Sequence, residues 1–499
     1  MERRKFLGTL PIAVGGALTF SAVNATAQTQ PSSVYVTVKQ FGAIGNGTTD
    51  DTAAIKAAFA YAASQAYPIC VFFPDGEYLV SAGFTVPVGV AVRGSGRGSA
   101  IIVVNAAGIV VFSTSFSSYT SANISILDLS IQTAKSGVVG IKFTLCGMTN
   151  IERVAFLGLA QCIEIDRGDF HQISNCISAG YGATNPAGTC RFWSSDDNDY
   201  VYSVTVSGFM VNNVGTGVSS AIDPAAFYIR RGISIFFVNV KAGDLVTGGV
   251  ATGFILIEND SQGCKFVSCV ASLMTVGIAL SQGGGVAVSP SFTEFHGVDI
   301  DQPIQYAINL ASASFTNFYG CNITPSGSHA AIQPIVIDTN ATHTSFNGTM
   351  VYNFNGAGGC GFYFNGATHV DLTNCIVDSC YYAFVFAGGS HIRINGGSVS
   401  NCTNKYNGTP SGNGNYFSHV DGFNPLGVIT PPFPSTGSTV TNALGVRCSV
   451  YISGGSITAI SINGQVIPSG ITGGAFDLEP GDTIDMNYSG SPSWKWIGH

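Results

Sequence analysis

The sequence predicts an all-β protein, a parallel β-helix with a helix at its N-terminal end and a small β-module at its C-terminal end. A short apolar motif recurs about every 25 residues, which is typical of a solenoid whose coils stack on one another. A second apolar strand lies between most copies of the motif. With 63 glycines, a 45% apolar fraction and only 10% charged residues, the composition favours short strands and tight turns over long amphipathic helices.

The first residues have the order of an export signal. Arg3 and Arg4 precede an apolar run over residues 9–23, and a stretch of small residues ends at Ala27. The paired arginines are similar to those of a bacterial twin-arginine signal, with an ordinary signal peptide as the alternative. We therefore expect residues 1–27 to be removed and the mature protein to be secreted or periplasmic in a bacterium. No later apolar run has the length of a membrane span.

The start of the mature chain predicts the N-terminal helix. The stretch "FGAIGNGTTDDTAAIKAAFAYAAS", which begins at Phe41, is a glycine-rich turn followed by a helix-forming run. We expect a helix over residues 51–64, with Asp50 and Asp51 accepting the free N–H groups of its first turn. This capping role is favoured over a role as a catalytic pair.

The coil repeats predict one β-helical domain over residues 28–405. Most copies of the motif are an apolar residue followed two positions later by a small residue, which we expect in a tight bend between two strands. The copies begin at Ile126, Ile151, Ile173, Val201, Phe237, Phe266, Phe295, Phe318, Phe346, Leu372 and Ile394. A single coil cannot bury its apolar face alone, so stacking of neighbouring coils would build one continuous core.

The block from Val34 to Gly98 resembles the entry segment of the pectate-lyase-like superfamily, which includes rhamnogalacturonase-type hydrolases and phage tailspike depolymerases. The resemblance is carried by the stretch from Phe41 together with "VFFPDGEYLV" and "RGSGRGS", and it departs from the usual pattern at Asn46, where members more often have Asp. It implies a right-handed parallel β-helix capped by the N-terminal helix. It implies no single reaction, because the superfamily contains hydrolases, lyases, epimerases and non-catalytic binders.

The composition changes after Tyr406. Residues 406–436 are rich in Pro, Gly and Ser and predict a linker, and residues 437–499 alternate as the strands of a small β-module. We expect Trp494 and Trp496 in the core of this module rather than on a sugar-binding platform.

The cysteines indicate neither a zinc site nor a complete disulfide framework. Their number, 13, is odd, so at least one thiol has no partner within the chain. No pair has the two-residue spacing of a zinc knuckle, and we therefore expect no structural metal. Most occupy a repeated position at which cysteine serves as a small buried apolar residue.

Polar and aromatic residues gather on four consecutive coils. Because alternate residues of a strand point to opposite faces, the second strands are expected to expose two neighbouring columns of side chains. The first column is Lys142, Glu164, Arg191 and Tyr228, and the second is Thr144, Asp166, Trp193 and Arg230. On later coils the expected outward residues are apolar or small, as at Ile255, Ala279, Asn309, Val336, Tyr363 and Val385.

The stretch "RFWSSDDNDYVY", from Arg191 to Tyr202, leaves this strand as a turn. We expect Asp196, Asp197 and Asp199 to overhang the two columns, near Arg167, Asp169 and Arg231. The sequence lacks the glycine and the terminal glutamate of an EF-hand loop, so a calcium loop of that type is not predicted.

This surface predicts the chemistry of a polysaccharide-degrading enzyme. Hydrolysis of a glycosidic bond needs two carboxylates, and the candidates are Glu164, Asp166, Asp196 and Asp197. The candidate substrate-binding residues are Lys142, Arg191, Trp193, Tyr228, Arg230 and Arg231. We favour a glycoside hydrolase, with a pectate-lyase-type polysaccharide lyase and a non-catalytic glycan-binding or adhesin-like β-helix as alternatives. The simplest alternative is structural, with Glu164–Arg191 and Asp166–Arg230 as plain ion pairs beside a solvated turn.

The expected partner is a polysaccharide. The net charge of −8 comes without a basic patch, so nucleic acid is not an expected partner. No cofactor is expected, although a lyase could use calcium. The oligomeric state is open, with a homotrimer as one alternative.

The histidines are expected to be structural. His343, His369 and His391 occupy the same position in three successive repeats and are expected at a stacked turn. The His296–Asp299–Asp301 stretch is the alternative location for a catalytic site.

Overall fold

The computed structural model describes residues 35–114, 116–180, 189–212, 225–243, 253–282, 288–325, 330, 332–410, 414–422, 428–429, 431–444, 447–467 and 473–498. The predicted export signal, residues 1–27, lies outside the described residues. Within them, no helix has the length and apolar character needed to cross a lipid bilayer.

The described residues form the predicted all-β fold. A sheet of 40 strands is held together by parallel pairing between successive coils, as where Ile141 pairs with Ile163 and Ile163 with Cys190. Each strand therefore pairs with its equivalents one coil before and one coil after. The fold class predicted from the repeats is confirmed.

Most strands of this sheet have two to six residues, a few have 12 to 16, and they follow the chain coil by coil. The first are Tyr35–Thr37, Asn46–Asp50, Cys70–Phe73, Gly76–Val80, Phe84–Thr85, Ala91–Gly94, Ala100–Val104, Val110–Ser113, Thr120–Ser121, Ser125–Leu127 and Ser130–Thr133. The next are Val139–Glu152, Ala155–Leu157, Gln161–Ser174, Ile177–Ala179, Thr189–Trp193, Val201–Tyr202, Val204–Ser207, Met210–Asn212, Ala225–Arg230, Gly232–Ile233, Phe236–Val238, Lys241–Gly243, Gly253–Glu258, Lys265–Val267 and Val270–Ser281. The last are Glu294–His296, Asp299–Ser314, Asn317–Tyr319, Asn322–Thr324, Ile335–Asn347, Met350–Tyr352, Cys360–Asn365, Thr368–Thr373, Ile376–Asp378, Tyr382–Phe386, Ser390–Asn395, Ser398–Ser400, Asn404–Gly408 and Tyr416–Ser418.

The core is built from stacked copies of the repeated apolar residue. Phe237, Phe266, Phe295, Phe318 and Phe346 are all fully buried, and their rings stack at 4.5–4.8 Å. This spacing matches the ~4.8 Å separation of hydrogen-bonded strands, so one phenylalanine per coil fills the same place in every layer. All thirteen cysteines are free thiols, and all but Cys70 and Cys402 are buried. Their predicted role as small apolar residues is confirmed.

The small residue of each motif lies in the predicted bend. Asn175, Asn239 and Asn374 have φ values of 52–55°, in the left-handed region. On other coils the same bend has glycine, as at Gly348 and Gly396. Asn tolerates this conformation better than most residues and Gly adopts it without strain, which explains the preference at this position.

Gly397, beside this bend, has a stricter requirement than Gly348. Its φ is 81°, and a Cβ atom there would lie 2.0 Å from the Cys375 carbonyl oxygen. A Cβ on Gly348 would meet nothing within 4 Å. We expect Gly397→Ala to lower the free energy of unfolding by more than the ~1–2 kcal/mol of left-handed strain alone, and Gly348→Ala by that strain only. Urea unfolding curves of both variants test this; equal losses would contradict it.

The N-terminal helix spans Thr52–Ala63, close to the predicted range, and a short 3-10 helix spans Val38–Phe41. Asp50 caps the α-helix, because its Oδ1 accepts the N–H of Thr52 at 2.9 Å. The prediction for Asp51 was wrong in detail. Its carboxylate accepts the N–H groups of Ile44 at 2.7 Å and Gly45 at 2.9 Å, so it holds the glycine-rich turn against the helix instead of capping the first turn.

The histidine turn is confirmed as a stacked structural feature. His343, His369 and His391 have φ values of 52–56°. Their rings stack at 4.8 and 4.6 Å, and Phe315 continues the stack below His343 at 4.8 Å. Because the ring faces contact one another, this column shows mainly ring edges to solvent.

The C-terminal residues form two antiparallel sheets of four strands each. Their strands are Val428–Ile429, Val440–Thr441, Cys448–Ser453, Ser456–Ile462, Gln465–Ile467, Gly474–Leu478, Thr483–Ser489 and Ser493–Gly498. Trp494 and Trp496 are 6% and 1% exposed, and their rings lie 5.2 Å apart. Both are core residues, as predicted.

Candidate functional site

The two predicted columns exist. Parallel pairing places Lys142 opposite Glu164, Glu164 opposite Arg191, and Arg191 opposite Tyr228. The second column is continuous in the same way, from Thr144 through Asp166 and Trp193 to Arg230. The alternating residues, such as Ile163 and Phe192, are fully buried in the core. The inward and outward faces of these four strands were therefore assigned correctly from the period of two.

The columns are more covered than the sequence suggested. Glu164, Asp166 and Tyr228 are only 4%, 6% and 6% exposed. They point away from the core, but the long side chains of the neighbouring coils lie over them. The expectation that these residues are open surface positions was wrong, and the reason is the crowding of large side chains at a spacing of ~4.8 Å.

Glu164 is held through one carboxylate oxygen. Its Oε1 lies 3.1 Å from Nζ of Lys142 and accepts the indole N–H of Trp193 at 3.1 Å. Within the part of the chain that the structure describes, its Oε2 accepts no hydrogen bond. Glu164 thus has a fixed orientation and, although its side chain is only 5% exposed, one oxygen that accepts no hydrogen bond from the described residues.

Asp166 is fully committed to protein contacts. Oδ1 accepts the backbone N–H of Ser195 at 2.9 Å and Oδ2 its hydroxyl at 2.8 Å. Arg167 donates to the same two oxygens at 3.2 and 3.4 Å. A carboxylate with four such bonds anchors the loop that contains Ser195, and the catalytic role of Asp166 stays a prediction.

The loop that Asp166 anchors, residues 194–199, is called here the aspartate loop. Ser194 donates to the Asp196 carbonyl at 2.7 Å, and the Asp196 carboxylate accepts the N–H of Asn198 at 2.9 Å. Asp197 lies 3.4 Å from Arg230, and 63% of its side chain is exposed. Asp196 lies 3.9 Å from Arg167 with 47% exposed. The loop overhangs the second column as predicted, and its carboxylates are the accessible ones.

Arg191 and Trp193 form a stacked pair beside Glu164. The Arg191 guanidinium carbon lies 3.6 Å from the centre of the Trp193 ring and 5.4 Å from that of Tyr228. Cation–π stacking of this kind fixes the indole, and one of its faces is covered by the arginine. Any sugar that stacks on Trp193 must use the other face.

Sequence reasoning missed Glu258, which extends the second column by one coil. Glu258 pairs in register with Arg230 and accepts the Tyr228 hydroxyl at 2.9 Å. The inward and outward residues of this strand were predicted by treating Gly253 as the equivalent of Gly277 on the next coil. In the structure Gly253 pairs with Val276, one residue earlier, so the alternation is shifted by one residue. Ile255 was therefore wrongly placed outside and is 1% exposed, whereas Leu256 and Glu258 point outward. Aligning the buried residues of this strand would have found Glu258.

Arg231 is almost fully buried. It is 4% exposed, donates to the Asp199 carbonyl at 3.0 Å, and lies 4.5 Å above the Tyr200 ring. The Tyr200 hydroxyl donates to Asp260. Burial, together with Asp260, raises the pKa of Tyr200 to about 12. Arg231 therefore holds the end of the aspartate loop, and its predicted role in substrate binding stays a prediction.

A buried histidine lies one corner away from the columns. His171 is 1% exposed, and its Nδ1 lies 2.7 Å from the Thr149 hydroxyl. Burial lowers the pKa of His171 from 6.5 to about 3. The imidazole is therefore neutral in the folded protein at pH values at which the unfolded chain binds a proton.

This difference predicts acid sensitivity. The contribution of neutral His171 to the free energy of unfolding is fully present above pH 6.5. It should decrease by up to ~1.4 kcal/mol per pH unit as the pH falls from 6.5 towards 3. Urea unfolding at several pH values should show a shallower decrease for His171→Gln, while the exposed-turn variant His343→Gln should follow the wild type. An identical pH slope for His171→Gln and the wild type would contradict this role.

In the part of the chain that the structure describes, no group of three or more His, Cys, Asp or Glu side chains has the arrangement of a metal site. The calcium alternative therefore gains no ligand set among these residues. The chemistry available on the two columns is that of carboxylates, cations and aromatic rings.

Comparison with known proteins confirms the predicted resemblance. Residues 35–243 match the model of the family described as rhamnogalacturonase A/epimerase, pectate lyase-like. Mannuronan C5-epimerase AlgE5 of Azotobacter vinelandii is 45% identical over 74 residues, which is 13% of this chain and 7% of that protein. The chain spans only 4–7% of the length of the curated relatives it matches.

Two solved structures have a similar fold. The N-terminal fragment of gene product 12 from bacteriophage phi29 has a TM-score of 0.53 at 13% identity, covering 78% of this chain and 71% of that chain. Tailspike protein 3 of bacteriophage CBA120 has a TM-score of 0.51 at 14% identity, covering 78% and 60%. At these identities the likeness shows the fold alone.

Proposed function

We propose that this protein is a secreted polysaccharide-degrading enzyme, a glycoside hydrolase that acts on an acidic or complex polysaccharide. The observation that carries the proposal is the arrangement of Glu164, oriented by Lys142 and the Trp193 indole, next to a loop that presents two exposed carboxylates. The match to a polysaccharide-acting epimerase and to the rhamnogalacturonase family model supports the same class of substrate.

The proposed reaction uses Glu164 with Asp197 or Asp196. Glycoside hydrolysis requires two carboxyl groups about 5–9.5 Å apart, the shorter distances giving retention and the longer ones inversion. The aspartate loop continues from the strand one coil beyond Glu164, about 4.8 Å along the helix axis. One carboxyl group would protonate the leaving oxygen, and the other would activate water or attack the anomeric carbon.

The charges on the two columns favour an acidic substrate. Lys142, Arg191 and Arg230 all face the same surface, although the chain as a whole carries a net charge of −8. Guanidinium groups bind carboxylates in a bidentate geometry. The cations would therefore hold uronate or other anionic units, while the face of Trp193 that Arg191 does not cover would stack on a sugar ring.

Elimination at a uronate is the second candidate, and one observation favours it. The Tyr228 hydroxyl donates to Glu258 next to Arg191, so a phenol, a carboxylate and a guanidinium lie together. A lyase needs a base for the C5 proton and a cation near the uronate carboxylate. In that case Tyr228 and Arg191, not the aspartate loop, would carry the reaction.

A panel of acidic and neutral polysaccharides separates these functions. We expect new reducing ends without the ultraviolet absorbance of an unsaturated uronate, which indicates hydrolysis. Reducing ends together with that absorbance would replace hydrolysis by elimination. Retention of the polymer without cleavage, under conditions in which the Glu164→Gln variant binds equally well, would overturn the enzymatic proposal in favour of a glycan-binding protein.

A further inference from the structure

A cleft lies far along the β-helix from the two columns. It has a volume of ≈ 700 Å³, within the ~300–1,000 Å³ typical of ligand sites. Its polar walls are formed by Ser345, Asp371, Thr373, Arg393, Asn395 and Tyr416. These residues lie on a different stack of strands around the β-helix. The nearest of them, Ser345, is four coils beyond Tyr228, about 19 Å along the β-helix axis at a strand spacing of ~4.8 Å. The cleft is thus separate from the candidate active site.

The same stacking that forms the columns builds this cleft. Ser345 pairs with Asp371, Asp371 with Arg393, and Arg393 with Tyr416. Four coils therefore present one polar side chain each along a line of about 14 Å. Thr373 and Asn395 are paired beside them and form the second wall.

The charged pair in this cleft is loose and accessible. Nε of Arg393 lies 4.0 Å from Oδ1 of Asp371, and the two side chains are 67% and 52% exposed. An exposed pair at this distance contributes little to stability, so both groups are open to a ligand. With one positive and one negative group, the cleft carries no net charge to attract an anionic polymer.

Tyr416 is fixed at the end of the line. Its hydroxyl donates at 3.0 Å to Glu479, which directly follows the C-terminal strand Gly474–Leu478, and Glu479 lies 3.6 Å from Arg447. The aromatic ring therefore has a set position, which lowers the ordering cost of binding. A rigid ring beside a carboxylate, a guanidinium, an amide and two hydroxyls is complementary to a polyol with adjacent hydroxyl groups.

We propose that this cleft is an accessory binding site for a neutral oligosaccharide or a neutral segment of a larger glycan. Asp371 accepts hydrogen bonds from sugar hydroxyls, Arg393 and Asn395 donate to them, and Tyr416 packs against the sugar ring. The inference goes beyond the proposed function, because binding here requires no cleavage at Glu164.

Affinity electrophoresis in gels that contain single neutral or acidic polysaccharides tests the site. The assay uses Glu164→Gln as the background so that the polymer is not consumed. We expect retardation by at least one neutral polysaccharide, and we expect Arg393→Ala and Asp371→Ala each to weaken the apparent affinity by roughly tenfold or more. The matched control is Arg93→Ala, an arginine 57% exposed on another part of the helix, which should bind as the background does.

Equal retardation of the Arg393→Ala, Asp371→Ala and background proteins would overturn the proposal, as would retardation by acidic polysaccharides alone. Failure of the hydrolase proposal gives a different pattern, namely no cleavage by the wild type with binding in these gels unchanged. Thermal unfolding of each variant keeps the result interpretable, because substitutions at these exposed positions should change stability by only ~0.5 kcal/mol.

Discussion

Glu164→Gln is expected to lower turnover by ~10²–10⁴-fold, the range for loss of a general acid or base. The substitution keeps the size of the side chain, and an amide oxygen can still accept the Trp193 N–H that Glu164 now accepts at 3.1 Å. What it removes is the charge and the acid–base chemistry of the carboxylate. Initial rates of reducing-end formation on the best polysaccharide of the panel measure the effect.

Two comparisons show whether the loss is chemical. Asp197→Asn or Asp196→Asn should also lower turnover, since at least one of these exposed carboxylates supplies the second group. Glu152→Gln is the matched control, because Glu152 pairs with Arg153 away from both columns and should retain full activity. Full activity in the Glu164, Asp196 and Asp197 variants together would place the reaction elsewhere, first of all at Tyr228 and Glu258.

The burial of Glu164 requires a stability measurement beside the kinetics. The Glu164 side chain is only 5% exposed and pairs with Lys142, so loss of its charge should lower the free energy of unfolding by ~1–3 kcal/mol, as for other buried hydrogen-bonded groups.

Asp166→Asn should behave differently, because it disturbs the contacts to Ser195 and Arg167. We expect this variant to lose activity through a displaced aspartate loop, with faster proteolysis in that loop as the readout that a purely chemical role would not give.

The sequence was sufficient for the fold and for the direction of most site residues because both depend on periodicity. The repeat places one phenylalanine per coil in the core, and the period of two places Lys142, Glu164 and Arg191 in one outward column. These are properties of the backbone that every coil shares. The identity of the hydrogen-bond partners is not periodic, so the anchoring of Asp166 and the burial of Arg231 could not be predicted from spacing.

The two errors of position have the same physical origin. Gly253 and Asp51 were both placed by analogy with a local pattern, a glycine before a strand and an aspartate before a helix. In each case a neighbouring element decided the outcome: the strand at Val276 set the register of Gly253, and the turn at Ile44 and Gly45 took the Asp51 carboxylate. Contacts between coils override local propensity at such junctions.

Phe295→Ala is expected to lower the free energy of unfolding by ~3–5 kcal/mol, the usual range for a buried phenylalanine. Phe295 is fully buried and stacks on Phe266 and Phe318 at 4.8 Å on each side. Its removal leaves a cavity between two rings that the backbone spacing holds apart, so the layer cannot collapse to fill it. In a solenoid the stability depends on contacts between neighbouring repeats, and this substitution interrupts the stack of phenylalanine rings in the middle of the β-helix.

Phe292→Ala is the matched control for this effect. Phe292 lies three residues earlier, stacks on Phe315 at 5.1 Å and is 56% exposed. Both the wild-type residue and alanine must adopt its left-handed backbone, with φ of 54°, so only the exposed ring contact is lost and the cost should stay near ~1 kcal/mol. Guanidinium unfolding followed by circular dichroism gives both values. If the two variants unfold at the same midpoint, the continuous aromatic stack is not the main source of stability between coils.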